Sequence, residues 1–198
     1  MIIKLSPVGP YTPLSLYRSG DALTINGVTF DLSRLPDGAT LPASAISSTF
    51  LLNPIERVDG KLRVTLVLPF AADAPVEARF PEDIVDPADG VVVLPGIEPT
   101  PLEVRDIGVI DWTQVITADD KARFAAEQHL IVVQSEIAQR RAAADYAIAP
   151  LQDAVDLDEA TAAEAALLKD WKRYRIALNR LPEQPGYPTS FDWPVAPA

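Results

Sequence analysis

The hydrophobic residues of this chain follow two different periods, a strand period in the first half and a helix period in the second. This change limits the fold more than any other feature, because a period of two lines one face of a strand whereas a period near 3.6 lines one stripe of a helix. Leu14-Ser15-Leu16-Tyr17 alternates apolar and polar residues, as a half-buried strand does. Residues 22–25 and 28–32 flank Asn26-Gly27. Both central residues of a type I′ turn need positive φ, which Asn and Gly tolerate, so this segment predicts a β-hairpin. A second hairpin is predicted from residues 55–58, the turn Asp59-Gly60 and a strand over residues 61–68. Within that strand Leu62, Val64, Leu66 and Leu68 share the face expected to point inward. Asp89-Gly90 leads into a short apolar strand, Val91-Val92-Val93-Leu94. Prolines at 7, 10, 13, 36, 42, 54, 69, 75, 81 and 87 cannot donate to a ladder, so the strands should be short and the connections irregular.

From Thr117 the pattern is helical. Thr117-Ala118-Asp119-Asp120 places a capping hydroxyl before acidic residues suited to a helix N-terminus. Phe124, Ile131 and Ala138 follow a seven-residue step, and Leu130, Val133 and Ile137 widen the apolar face. This first helix is expected to end or kink at Ala149-Pro150. A second helix is expected to begin near Asp158-Glu159 and to run to about Leu181. Its Leu167, Trp171, Tyr174, Leu178 and Leu181 form a seam spaced as in coiled-coil packing. Pro182 stops it, and a proline-rich tail with Tyr187, Phe191 and Trp193 follows.

The fold expected is α+β. A small antiparallel β domain, sandwich or barrel, over residues 1–94 precedes a proline-rich linker at 95–110. A helical domain at 111–198 follows, an antiparallel hairpin with its aromatic tail.

The 198 residues carry a formal net charge of −11 and no cysteine. Disulfides, thiolate metal sites and cysteine nucleophiles are thereby excluded. The acidic surface repels phosphate backbones, so no nucleic-acid partner is expected. No apolar run is long enough for a membrane span, and Met1-Ile2-Ile3-Lys4-Leu5 reads as a first strand rather than a signal peptide. His129 is the single histidine and lacks the partners that a transition-metal site or a general base would need. Asp119-Asp120 and Asp158-Glu159 are read as charges at helix starts, where the dipole accounts for them, and neither these pairs nor Glu82-Asp83 are read as glycosidase carboxylates. Neither a phosphate-cradling glycine loop nor a G-x-S-x-G elbow occurs. The chain is read as a non-enzymatic protein with no cofactor and no metal.

The ordered set Asp111-Trp112-Thr113-Gln114, Trp171-Lys172-Arg173-Tyr174-Arg175-Ile176-Ala177-Leu178, Pro182-Glu183-Gln184-Pro185-Gly186-Tyr187-Pro188 and Asp192-Trp193-Pro194 resembles the C-terminal domain of phage tail assembly chaperones and tail-fibre assembly proteins. That family has a W-x-x-Y-R-x-x-L helix, a QPGFP-like loop and a terminal W-P. In this chain a long helix separates the first motif from the second. The N-terminal half is similar to leading domains of tail proteins from Mu-like phages of Pseudomonas. The resemblance implies a partner, a tail-fibre or other tail protein that is helped to fold, oligomerise or attach, and an oligomer matched to a fibre trimer. It also implies action in the bacterial host cytoplasm during assembly, with retention in the virion as the alternative, in which case the chain is a structural adaptor or collar. The candidate partner-binding residues are Trp171, Tyr174, Arg175, Leu178, Tyr187, Phe191 and Trp193. Core packing is the competing reading for Trp171 and Tyr174, and docking of the tail on its own helices for Tyr187, Phe191 and Trp193.

Overall fold

A computed structural model of the chain describes residues 1–9, 13–101 and 103–197. Pro10, one of the expected strand breakers, and Leu102, within the expected linker, lie outside the described residues. The fold is α+β, and the chain divides into two compact units, Met1–Lys121 and Ala122–Ala198.

The first unit contains two five-stranded sheets. Its strands are β1 (Ile2–Val8), β2 (Leu16–Ser19), β3 (Ala22–Ile25), β4 (Val28–Asp31), β5 (Thr40–Leu41), β6 (Leu51–Val58), β7 (Lys61–Pro69), β8 (Ile84–Val85), β9 (Gly90–Val91) and β10 (Asp106–Ile107), with the single-turn helix α1 (Val76–Arg79) after β7. The first sheet has the order β5-β6-β7-β1-β8 and the second β10-β4-β3-β2-β9. Both expected hairpins form. Asn26 and Gly27 have φ of 50° and 86° between paired Ile25 and Val28, and Asp59 and Gly60 have φ of 52° and 74° between paired Val58 and Lys61. Leu62, Val64, Leu66 and Leu68 are buried, and Ile3 and Leu5 of β1 join them in one core with Leu16, Leu23, Ile25 and Phe30 of the second sheet. Alternation is thus the physical link from sequence to core, because each inward residue on a pleated strand is two positions from the next.

Two features go beyond the periodicity. The sheets are mixed, since β1 pairs in parallel with β7, and β10 in parallel with β4. Side-chain alternation carries no information on strand direction, and a parallel partner needs a long crossover, which residues 9–60 supply between β1 and β7. Pro7 and Pro54 also lie within strands. Pro54 is accommodated where the β6–β7 register shifts between Leu52 and Glu56, with Asn53 at φ 60°.

Residues 95–110, read from composition as a linker, contribute β10 to the second sheet, and Ile110 and Ile116 bridge to Ile46 and Thr40. The Arg105 amide donates to the Gly27 carbonyl at 2.8 Å. A Cβ on Gly27 would meet the Glu103 carbonyl oxygen at 2.6 Å, so this turn requires glycine for its φ and for the strand that crosses it. Arg57 ties the unit together. Its guanidinium donates to the Leu35 carbonyl at 2.7 Å and to Asp21 at 2.8 Å.

The second unit is built on α2 (Ala118–Asp156), whose first turn lies in the first unit, and α3 (Ala162–Asn179). The Thr117 hydroxyl accepts from the Asp120 amide at 3.1 Å, and the Asp120 carboxylate accepts from the Thr117 amide at 3.1 Å, a reciprocal cap of the expected kind. Of the two outcomes expected at Ala149-Pro150, an end or a kink, the end is corrected, because the helix continues through Pro150 to Asp156. Proline removes one backbone hydrogen bond. Packing on both sides compensates, since Ile148 is buried and Gln152 accepts a hydrogen bond from Lys172 of α3. The helix ends in a Schellman motif. Glu159 N–H donates to Ala154 at 2.9 Å and Asp158 N–H to Val155 at 3.1 Å, with Asp158 at φ 57°. Asp158 and Glu159 therefore close α2 and do not open α3, which starts with a Thr161–Glu164 capping box. The helices run antiparallel, because Asp145 pairs with Arg175 whereas Gln152, further along α2, pairs with Lys172, earlier on α3. Val133, Ile137, Ala144, Tyr174, Leu178 and Leu181 form their core.

Candidate partner-binding site

The residues after α3 turn back onto the helices. Leu181–Glu183 forms a 3-10 turn with Leu181 buried, and the tail then reverses at Gly186. Gly186 has φ 84°, and its carbonyl accepts from the amides of Thr189 and Ser190 at 2.9 and 2.8 Å. The space beside its Cα is filled by the Ser190 backbone, so a side chain there would collide. The Tyr187-Pro188 peptide is cis. The Gln184 amide group closes the loop, donating to the Asp192 carbonyl at 3.2 Å and accepting from the Asp192 amide at 3.1 Å. His129 of α2 lies 2.9 Å, through Nε2, from the Pro188 carbonyl oxygen.

These bonds set three tail rings side by side. Tyr187 and Phe191 have centroids 5.4 Å apart, and Phe191 and Trp193 5.0 Å apart. All three are partly buried against the helical core. Arg140 of α2 caps the row, 4.4 Å from the centroid of Trp193. Glu136, bonded at 2.7 Å, and then Tyr174 raise the Arg140 pKa above its ordinary value against the opposing effect of burial, so its charge is permanent.

The candidate residues occupy four environments. Tyr174 and Leu178 are buried, at 6% and 0% exposure. Trp171 is partly buried and meets Tyr174 edge-on at 5.8 Å. Arg175 is committed to Asp145 at 2.7 Å. Tyr187, Phe191 and Trp193 form the docked row. The expected seam shifts by one position at its start. Leu168 is buried there, while Leu167 faces an open groove of about 440 Å³ with Asp170, Arg173, Tyr174, Ala177, Pro194, Val195 and Pro197. Val195 is 91% exposed on its rim. Arg140, Gln184 and His129, which hold the tail, have no local signature, because each meets a partner distant in sequence or fixed only by the loop. In the Trp112 motif, Asp111 accepts from Gln114 and Thr113 at 2.9 and 3.0 Å, bonds that lower its carboxyl pKa, with Gln114 first. Trp112 packs on the β core beneath Arg34, at 5.1 Å. A larger groove, about 520 Å³, lies in the first unit among Lys4, Glu56, Arg63 and Asp83. Among the described residues no cluster of His, Asp or Glu could hold a metal ion, and no helix is long and apolar enough to cross a membrane.

In architecture the second unit is a helical hairpin covered by a docked aromatic tail. Residues 103–198 match the family model of the Caudovirales tail fibre assembly protein, lambda gpK. The chain is 50% identical over 50 residues to Protein TfaD of Escherichia coli (strain K12), covering 25% of this chain and 26% of that protein. It is 48% identical over 50 residues to the tail fiber assembly protein of Escherichia phage lambda, covering 25% of each. It is 50% identical over 50 residues to the probable tail fiber assembly protein of Acyrthosiphon pisum secondary endosymbiont phage 1, covering 25% of this chain and 31% of that one. The matched stretch thus spans between a quarter and a third of these relatives. No solved structure matches the chain.

Proposed function

We propose that the chain acts in tail-fibre assembly without catalysis, and that its C-terminal unit holds a fibre or other tail protein in the groove between α3 and the tail. The family match over residues 103–198 supports this, since it covers α3, the Gly186 loop and the aromatic row together. The observation that carries the reading is the groove itself. Leu167, Pro194, Pro197 and the almost fully exposed Val195 offer an apolar lining, with the Asp170–Arg173 ion pair at its edge. An extended apolar segment or an unpaired strand edge of a fibre fits that lining, and covering such a segment until the fibre is complete protects it from aggregation. Tyr174 and Ala177 of α3 also line the groove, Trp171, Leu178 and the row Tyr187, Phe191 and Trp193 belong to the packed core that supports it, and Arg175 fixes α3 to α2 through Asp145. Such action takes place in the host cytoplasm, where fibres are made.

Co-expression with the cognate fibre protein, followed by size-exclusion chromatography and native mass spectrometry, tests this. The expected result is a stable complex that Val195→Asp weakens by at least about tenfold, a loss typical of a contact residue, with unchanged helix content. A fibre that is soluble alone and never co-elutes, or a complex indifferent to Val195→Asp, overturns it.

A further inference from the structure

Helix α2 has a second stripe, apolar at Phe124, Ile131, Ala138 and Ala142, that stays exposed, with the Arg123 guanidinium lying 5.4 Å from the centre of the Phe124 ring. A helix advances about 100° per residue, which puts Val133, Ile137, Ala144 and Ile148 on the face buried in the hairpin. Phe124, Gln128, Ile131, Ser135, Ala138 and Ala142 lie on the opposite face. Their spacing alternates four and three residues, the spacing of a coiled-coil seam, and all are exposed, Phe124 at 50% and Ile131 at 56%. Val132, beside the stripe, is 64% exposed.

The stripe is complementary to itself in reverse. Glu127 and Arg141 flank it on one side, seven residues before and seven after Gln134. In an antiparallel pair of copies each Glu127 therefore faces the other copy's Arg141, and the two Gln134 residues meet between them. The same register sets Phe124 opposite Ala142, Gln128 opposite Ala138 and Ile131 opposite Ser135, so that a larger side chain faces a smaller one in every layer, and it brings Val132 against its own counterpart. A parallel pair would set Glu127 near Val132 and leave both charges without partners. A two-fold interface demands this reciprocity, in which residue i meets j and j meets i. We propose that α2 binds α2 of a second copy of this chain, antiparallel and about a two-fold axis beside Gln134.

Light scattering coupled to size-exclusion chromatography of the full chain, over a wide concentration range, measures this. The wild type is expected to be a dimer, and Ile131→Glu and Val132→Lys are each expected to raise the dimer Kd by at least about tenfold, as for central interface residues, with helix content by circular dichroism unchanged. Glu127→Arg alone and Arg141→Glu alone place like charges opposite each other at both ends and weaken the dimer, whereas the double swap restores it. A monomeric wild type overturns the proposal, as does a dimer insensitive to the folded Ile131→Glu and Val132→Lys variants. Single swaps that the double swap does not rescue overturn the antiparallel register. A monomeric chain in which Ile131→Glu abolishes fibre binding gives the stripe to the fibre and also overturns it.

Discussion

The guanidinium of Arg140 lies 4.4 Å from the centre of the Trp193 ring, and the same side chain is bonded to Glu136 at 2.7 Å. One residue of α2, held by its neighbour one turn earlier, thus reaches the tail. Arg140→Gln removes the cation from the ring and is expected to cost about 1 kcal/mol, the size of a partly exposed cation–π contact. Urea unfolding gives the stability change. Hydrogen exchange should localise the loosening to residues 187–193, and equal loss of protection along both helices would contradict a tail-holding role.

Gln184 holds Asp192 by both ends of its amide. Gln184→Ala is expected to increase exchange of the Asp192 amide strongly while reducing global stability by only about 1 kcal/mol, because each neutral hydrogen bond contributes little net. Fibre binding should fall more than stability, since the groove loses the tail as a wall.

Leu178 is fully buried where the helices meet. Leu178→Ala should cost about 2–5 kcal/mol, through lost transfer energy and the cavity left behind. Ile131→Ala on the outer face of α2 should change the stability of the isolated chain by about 0.5 kcal/mol or less. Paired chemical denaturation curves at a concentration where the chain is monomeric check the contrast.

Asp86 accepts from the Lys61 ammonium and from the Met1 amine, each at 2.6 Å, and these bonds, Lys61 first, hold its carboxyl at about 2 instead of 3.8. A carboxyl whose folded pKa lies below its unfolded value contributes stability that is complete above the unfolded pKa and is lost as pH falls toward the folded one. Asp86→Asn should therefore lower Tm at pH about 6, with the difference from wild type shrinking between pH about 4 and about 2. Thermal melts of both proteins across that range measure it, and a constant difference would mean that the carboxylate's charge is not what matters.

Local patterns in the sequence determined a good part of this protein. The Asn26-Gly27 and Asp59-Gly60 hairpins, the inward face from Leu62 to Leu68, the cap at Thr117 and the helical pair with Tyr174, Leu178 and Leu181 in its core all depend on neighbours a few residues apart, where backbone sterics and side-chain period decide. The ordered aromatic and proline motifs also pointed to the tail-fibre assembly family. The tertiary structure alone decided the rest. Strand direction came from β1 finding β7, and the continuation of α2 through Pro150 from packing against α3. The seven-residue step of Phe124, Ile131 and Ala138 was visible from the start, but a helix with two apolar stripes does not reveal which one faces the core. That choice went to Val133, Ile137, Ala144 and Ile148 because α3 and the folded-back tail cover that side, a matter of contacts between residues far apart in the chain.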